Sequence, residues 1–191
     1  CMGCKKTYEP RNFKEVTIKE FLRDSTSIRA LQVVDKNTVF YAGSMGDIGF
    51  TTDNGTNWSS YTIKYQDAIL PNFRTLAFNG TDYFAMSIGN PALLYKVSSE
   101  GKATLIYKEE NKKVFYDALT FFDDNMHGIA VGDPTENCAS IVLTKDGGES
   151  WFKVPCENLT EIAKEEAFFA ASNTNIKTIG STVWIASGGA K

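Results

Sequence analysis

The sequence predicts an all-β protein of four-stranded antiparallel blades, arranged as part of a β-propeller ring, and three observations carry that prediction. One spelling, Ser/Thr-x-Asp-x-Gly-x-x-Trp, occurs twice, as Thr51-Thr52-Asp53-Asn54-Gly55-Thr56-Asn57-Trp58 and as Thr144-Lys145-Asp146-Gly147-Gly148-Glu149-Ser150-Trp151. The two aspartates stand 93 residues apart, two repeats of about 46, near the length of a four-stranded blade. A worn copy lies midway: Val97-Ser98-Ser99-Glu100-Gly101-Lys102-Ala103-Thr104 keeps the glycine, puts Ser99 at the aspartate position and lacks the tryptophan. Finally, 13% aromatic and 42% hydrophobic residues fall in many short runs between turn signals, a pattern of strands.

Each position of the octapeptide has work to do in a tight turn. The aspartate accepts hydrogen bonds from backbone N–H groups that the turn leaves unpaired. The glycine supplies a backbone angle other residues resist, and the tryptophan packs an apolar body beneath, with its N–H free to find an acceptor. Thr51, Asp53, Gly55 and Trp58, like Thr144, Asp146, Gly148 and Trp151, therefore read as structural rather than catalytic or metal-binding.

In chain order, residues 1–12 read as a signal-peptide remnant and tether, and 13–191 as a partial propeller. Gly3-Cys4 resembles the small-residue-then-cysteine junction of bacterial lipoproteins, with Cys4 acylated and Lys5-Lys6 opening the mature chain, although Cys1 departs from the usual leucine. On that reading the protein belongs to the cell envelope, periplasm or outer membrane, where disulfides are permitted; an ordinary start is the alternative. Phe13 to Ile18 alternates as a half-buried strand does. Phe13 precedes Arg29 by 16 residues, as Trp58 precedes Arg74, so the segment reads as the outer strand of a blade whose other strands come from elsewhere.

Three full repeats follow, about 28–63, 73–107 and 116–154. Their strands are expected at Ile28 to Val34, Thr38 to Ala42, Ile48 to Thr52 and Asn57 to Ile63; then Phe73 to Phe78, Tyr83 to Ser87, Leu93 to Val97 and Ala103 to Tyr107; then Tyr116 to Phe122, Gly128 to Val131, Ser140 to Thr144 and Ser150 to Val154. A fourth repeat, 167–191, is incomplete. Such a set does not close a ring, so further blades are expected from additional sequence or another chain. Leu159 to Glu166 reads as a short helical turn.

A four-stranded meander places the entry of each inner strand and the loop between strands two and three on one face, and the octapeptide turns on the other. Aligned at strand one, the repeats carry a charge at the same place: Arg29, Arg74, Asp117 and Glu166. The loops on that face supply Ser44 and Asp47, Ser87 and Asn90, and Asp133 and Asn137. These residues form either a polar binding funnel or turn chemistry with a ring of ion pairs. Cys138 and Cys156 fall at the same side of one repeat, and read as a disulfide or as two free buried thiols.

Several classes are disfavoured. The net charge of −3 offers no basic stripe for nucleic acid, and no span approaches a membrane helix, leaving a lipid anchor as the expected membrane contact. One histidine, His127, forms no His-pair metal site, and Gly132-Asp133-Pro134 lacks the lysine and helix of a phosphate-binding loop. No cofactor is expected.

Ser/Thr-x-Asp-x-Gly-x-x-Trp is the Asp-box, or BNR repeat. Together with Ser87-Ile88-Gly89-Asn90-Pro91-Ala92, His127-Gly128 with Gly132-Asp133-Pro134, and Phe169-Ala170-Ala171-Ser172-Asn173-Thr174-Asn175, the chain resembles the Asp-box propellers of Bacteroidetes labelled oxidoreductase. These are similar to the photosystem II stability and assembly factor family. The resemblance implies an exported or lipid-anchored propeller, often seven-bladed, that binds a partner protein through an arginine-rich face, to which Arg29 and Arg74 are the candidates here. Nothing in the chain supports the oxidoreductase label. Sialidases share the Asp-box, but Arg11, Arg23, Arg29 and Arg74 are the only arginines and the Phe/Tyr-Arg-Ile-Pro start is missing. A glycoside hydrolase completed by further blades is the alternative to a non-enzymatic binder of a protein, polar or glycan ligand.

Overall fold

A computed structural model describes Pro10, residues 12–168 and residues 173–189. Cys4, Arg11 and residues 169–172 of the family-like segment lie outside the described residues. Three four-stranded antiparallel sheets follow one another, each a meander in chain order. The first holds β1 (Ile28–Val33), β2 (Val39–Gly43), β3 (Asp47–Thr51) and β4 (Ser59–Thr62). The second holds β5 (Phe73–Phe78), β6 (Tyr83–Ser87), β7 (Ala92–Val97) and β8 (Ala103–Glu109), and the third β9 (Tyr116–Phe121), β10 (Gly128–Gly132), β11 (Ser140–Thr144) and β12 (Phe152–Lys153). β1 packs beside β5 and β5 beside β9, so the first strands line the inside of a partial propeller.

The core lies between blades, because successive side chains of a strand point to opposite faces and each blade covers its neighbour. Between blades one and two, Phe40 stacks on Phe50 at 4.4 Å and meets Tyr83 at 4.8 Å, with Leu76 buried among them. Between blades two and three, Phe84 and Phe121 are 4.8 Å apart and Trp151 closes the group. Beyond blade three, Ala118, Ile129 and Val131 are covered by Ile176.

The fourth repeat is a hairpin in two pieces. β13 (Ala167–Phe168) pairs with β16 (Ser187–Gly188), and β14 (Ile176–Ile179) with β15 (Thr182–Ile185). Phe168 pairs with Ser187 and Ile176 with Ile185, and the Ala186 N–H bonds the Asn175 carbonyl at 2.8 Å.

Both octapeptides form the same network. Thr51 Oγ1 donates to Asp53 Oδ1 (2.9 Å) and accepts from the Gly55 N–H (2.9 Å), while Asp53 Oδ1 accepts from the Asn57 N–H (2.8 Å). Thr144, Asp146, Gly148 and Ser150 repeat it at 2.7, 3.0 and 3.0 Å. These bonds, the Ser150 side chain foremost, draw the Asp146 carboxyl down to about 2. Gly55 and Gly148 have φ of +78° and +93°. The Trp151 N–H donates to the Gly148 carbonyl at 3.2 Å, whereas the buried Trp58 N–H has no partner among the described residues.

Three expectations differ from the structure. Residues 13–18 form no strand, and Phe13, Val16 and Ile18 are 69%, 72% and 79% exposed: alternation creates a strand only where a ladder partner exists, and no described strand pairs with them. The helical turn lies at Cys156–Asn158, ahead of 159–166, because Pro155 presets its entry and Leu159 N–H closes it on the Cys156 carbonyl. Glu161 then bridges to Cys138 and Ile162 N–H bonds Asn137, which holds the following residues extended. The fourth strand of blade three shrinks to Phe152–Lys153, and Pro155 with the Cys156–Asn158 turn follows it at once.

A Cβ on Gly148 would sit 2.4 Å from the Phe84 ring, in a backbone with positive φ. Gly148→Ala is expected to lower stability by about 2–4 kcal/mol, and Gly147→Ala, where nothing lies nearer than 3.7 Å, by about 1 kcal/mol. Urea midpoints of the two variants check the order; equal losses would refute the steric account.

Candidate functional site

The same backbone tie recurs in all three blades at one face. The Ser44 N–H bonds the Ser27 carbonyl (3.1 Å), Ile88 bonds Asn72 (3.0 Å) and Asp133 bonds Phe115 (2.8 Å). Each bond joins the loop after a second strand to the residue, or nearly so, that precedes the inner strand of its own blade. This face is the mouth of the partial ring, and the octapeptide turns lie at the other ends of the strands.

The four aligned charges meet different fates there. Arg29 is exposed and has no hydrogen bond or ion pair among the described residues. The Arg74 guanidinium lies 5.5 Å over the Phe115 ring; burial first, and then Arg29, hold its pKa down, against the pull of Asp117. Asp117 is fully buried, and neither carboxyl oxygen has a hydrogen-bond partner among the described residues. Burial, followed by the charge of Asp133, pushes Asp117 up to about 7, with Arg74 opposing. Glu166 accepts from the Ala163 N–H (3.0 Å) and from the Ser187 hydroxyl, bracing the fourth repeat. Among the described residues no salt bridge joins two of the four.

Most of the loop residues expected to bind serve the framework instead. Asp47, 4% exposed, accepts two bonds from Arg23 (2.9 and 2.8 Å), one from Thr26 (2.9 Å) and one from Tyr41 (3.2 Å). Its burial alone would raise its pKa, but the bonds from Arg23 and Thr26 outweigh that and hold it below 3.8. Ser44 Oγ accepts from the Ser27 N–H and the buried Ser87 Oγ from the Leu93 N–H. Asp133 Oδ1 accepts from the Phe168 N–H at 2.9 Å, and Asn137 donates to Glu161 at 2.7 Å. Cys138 and Cys156 are bonded, Cα atoms 5.7 Å apart, and the bridge clips the loop 133–139 to the chain after β12. Arg29, Asn90 and Met45 are exposed at this face, with Arg74 half-buried beside them.

Sequence reasoning missed three participants. Arg23 neutralises Asp47 from a segment with no repeat signal. Glu109 accepts from Tyr107 (2.8 Å) and Tyr116 (2.6 Å) and meets Lys153, tying β8, β9 and β12 together. Asn173 reaches into the channel: its amide nitrogen donates to the Leu76 carbonyl (2.7 Å), and its oxygen accepts from Leu119 N–H (3.2 Å) and the Thr75 hydroxyl. Beside it lies a cavity of about 310 Å³ lined by Gln32, Leu76, Leu119, Thr120 and Lys177. His127 sits on an exposed turn, 2.6 Å from Asp124, and no group of three His, Cys, Asp or Glu residues able to hold a metal exists among the described residues.

No family model and no curated protein matches the chain. Among solved structures it is similar to "YCF48 bound to D1 peptide", with a TM-score of 0.52 and 16% identity over 68% of this chain and 40% of that one. It is also similar to "YCF48 from Cyanidioschyzon merolae", with a TM-score of 0.50 and 17% identity over 69% of this chain and 38% of that one. At that identity the likeness shows the fold, a β-propeller, and this chain spans about two fifths of the length of those proteins.

Arg23→Met leaves the nearly buried Asp47 carboxylate with two hydroxyl partners, and is expected to cost about 1–2 kcal/mol at neutral pH. Because the folded pKa of Asp47 lies below 3.8, its stabilisation is present above that value and lost as pH falls through the folded pKa. The difference between wild type and variant in denaturant titrations therefore narrows under acid; a constant difference from pH 7 to pH 2 would contradict the assignment.

Proposed function

We propose that this chain is part of an envelope-associated, non-enzymatic propeller that captures an acidic stretch of a partner protein at its mouth, in the assembly or stability of a complex. The observation that carries the reading is the pair Arg29 and Arg74: one exposed with no acid bound to it, the other laid over Phe115 a blade further on. A planar guanidinium held over a ring presents its edge to carboxylates in fixed geometry. The remaining polar groups of the mouth are largely spent on ties within the framework, and exposed Arg29, with the charge of Arg74 a blade further on, is the feature proposed to recognise a ligand. That a propeller of the same fold is seen holding a peptide, YCF48 with D1 peptide, supports the reading.

The finer assignments belong with it. The paired octapeptide networks support membership of the Asp-box group of Bacteroidetes propellers. The Cys138 and Cys156 bridge supports an oxidising compartment, which agrees with lipidation at Cys4. The sialidase-type alternative draws no support from the described residues: Arg23 is engaged with Asp47, and Asp117, the acid at the mouth, is sealed from solvent.

Two outcomes are expected. In a pull-down from envelope extract, Arg29→Ala combined with Arg74→Ala reduces partner recovery at least about tenfold, the scale of losing charge-assisted bonds; undiminished recovery would rule the mouth out. Cys4→Ala moves the full-length protein from the membrane to the soluble fraction, and retention in the membrane would dispose of the anchor.

A further inference from the structure

Asp117 is a buried acid at the mouth that no bond of the framework uses among the described residues. It lies on β9, fully buried, with both carboxyl oxygens closed to solvent and without hydrogen-bond partners among the described residues. An ionised carboxylate in such a place is costly, because no water replaces its hydration and the nearby Asp133 N–H, which opposes the rise, is bonded to the Phe115 carbonyl. A neutral carboxyl there is cheap. The groups around it are fixed. Arg74 faces it from β5, and Asp133 from the loop after β10, where the Phe168 N–H pins the Asp133 carboxylate. Arg29, on β1, acts on Arg74, and Glu166, ahead of β13, is bonded to Ala163 and Ser187.

Resting on the binding reading above, we infer that Asp117 is a proton-operated counter-ion of the mouth. When it holds a proton, the field of Arg29 and Arg74 acts on the partner. When it gives that proton to solvent, a carboxylate appears beneath Arg74 and beside Asp133, and offsets part of that field. Capture of an acidic segment therefore strengthens on acidification, and by linkage the bound segment makes Asp117 harder to ionise by the same factor. Burial and the neighbouring Asp133 bring this change of charge to about neutral pH. His127, the chain's one histidine, sits on an exposed turn at the far ends of the strands, away from the mouth.

The test uses fluorescein-labelled hexaglutamate, whose carboxylates are ionised throughout pH 6–8.5, and protein labelled with ¹³C at aspartate carboxyl and arginine Cζ. Wild type is expected to bind the probe about tenfold more weakly at pH 8.5 than at pH 6, the scale of one partly screened charge a few ångströms away. Asp117→Asn keeps the shape of the neutral acid and is expected to bind at every pH as wild type does at pH 6. The Asp117 carboxyl resonance, assigned by its loss in that variant or by sequential connectivities if the variant does not fold, moves with a midpoint near neutrality. The Arg74 Cζ resonance follows it, and saturating probe raises the midpoint by about one pH unit, the same tenfold factor.

The failures separate. Probe binding that is absent, or indifferent to Arg29→Ala with Arg74→Ala, removes the cationic mouth and the counter-ion with it. Arginine-dependent binding that is flat with pH, or an Asp117 resonance whose midpoint lies in the ordinary carboxylate range, leaves the mouth standing and overturns the counter-ion alone.

Discussion

The seam between blades two and three depends on one contact: an aromatic side chain from a second strand lying against the turn glycine and tryptophan of the next blade. Phe84 of blade two lies over Gly148 and 6.2 Å from Trp151 of blade three. The turn must therefore be bare of a Cβ and held open by the Thr144 and Asp146 bonds, since a collapsed turn would leave the aromatic without a floor. Blade one shows how general the requirement is. No described blade precedes it, yet Phe21 lies over Gly55 and 5.9 Å from Trp58, in the same relation and at nearly the same tilt. The segment leading into the first strand supplies the aromatic that a neighbouring blade supplies elsewhere.

That economy divides the molecule into two faces with different freedoms. At the turn face, backbone angles, glycines and carboxylates are all committed to packing. At the mouth, three equivalent backbone ties hold the loops without using most of their side chains' neighbours, and arginines can be placed there at little cost to the core. Opposite charges, though aligned in the repeat, are separated by depth: Arg29 is in solvent, Arg74 lies on a ring, and Asp117 is sealed. Depth, more than sequence position, decides which of them a ligand meets.

The blades were legible because apolar alternation and turn chemistry agree there: the bounds of β5, β6 and β11 fall on the residues expected, and the rest within one or two, apart from the shortened β12. The mouth was legible as a face but not as a set of contacts. Gly, Ser, Asp and Asn are what both a binding loop and a self-satisfied turn are made of, so Ser87 and Asp47 looked alike in sequence with Asn90, although only Asn90 is exposed. Arg23 left no trace because its partner is 24 residues away in a segment without periodicity. The burial of Asp117 depends on what blades two and four bring over it, which no local pattern encodes.

Stacks of repeats ordinarily behave as one-dimensional arrays, each unit coupled only to the next. Asn173 breaks that rule. From the fourth repeat it bonds Thr75 and Leu76 in the second and Leu119 in the third, a contact across as many as 98 residues of chain. Blades two, three and four thus gain or lose order together, at the kinetic cost that long-range contacts impose on folding. A fray that begins in the fourth repeat must first release one amide, and in doing so it unsettles the inner strands two blades away.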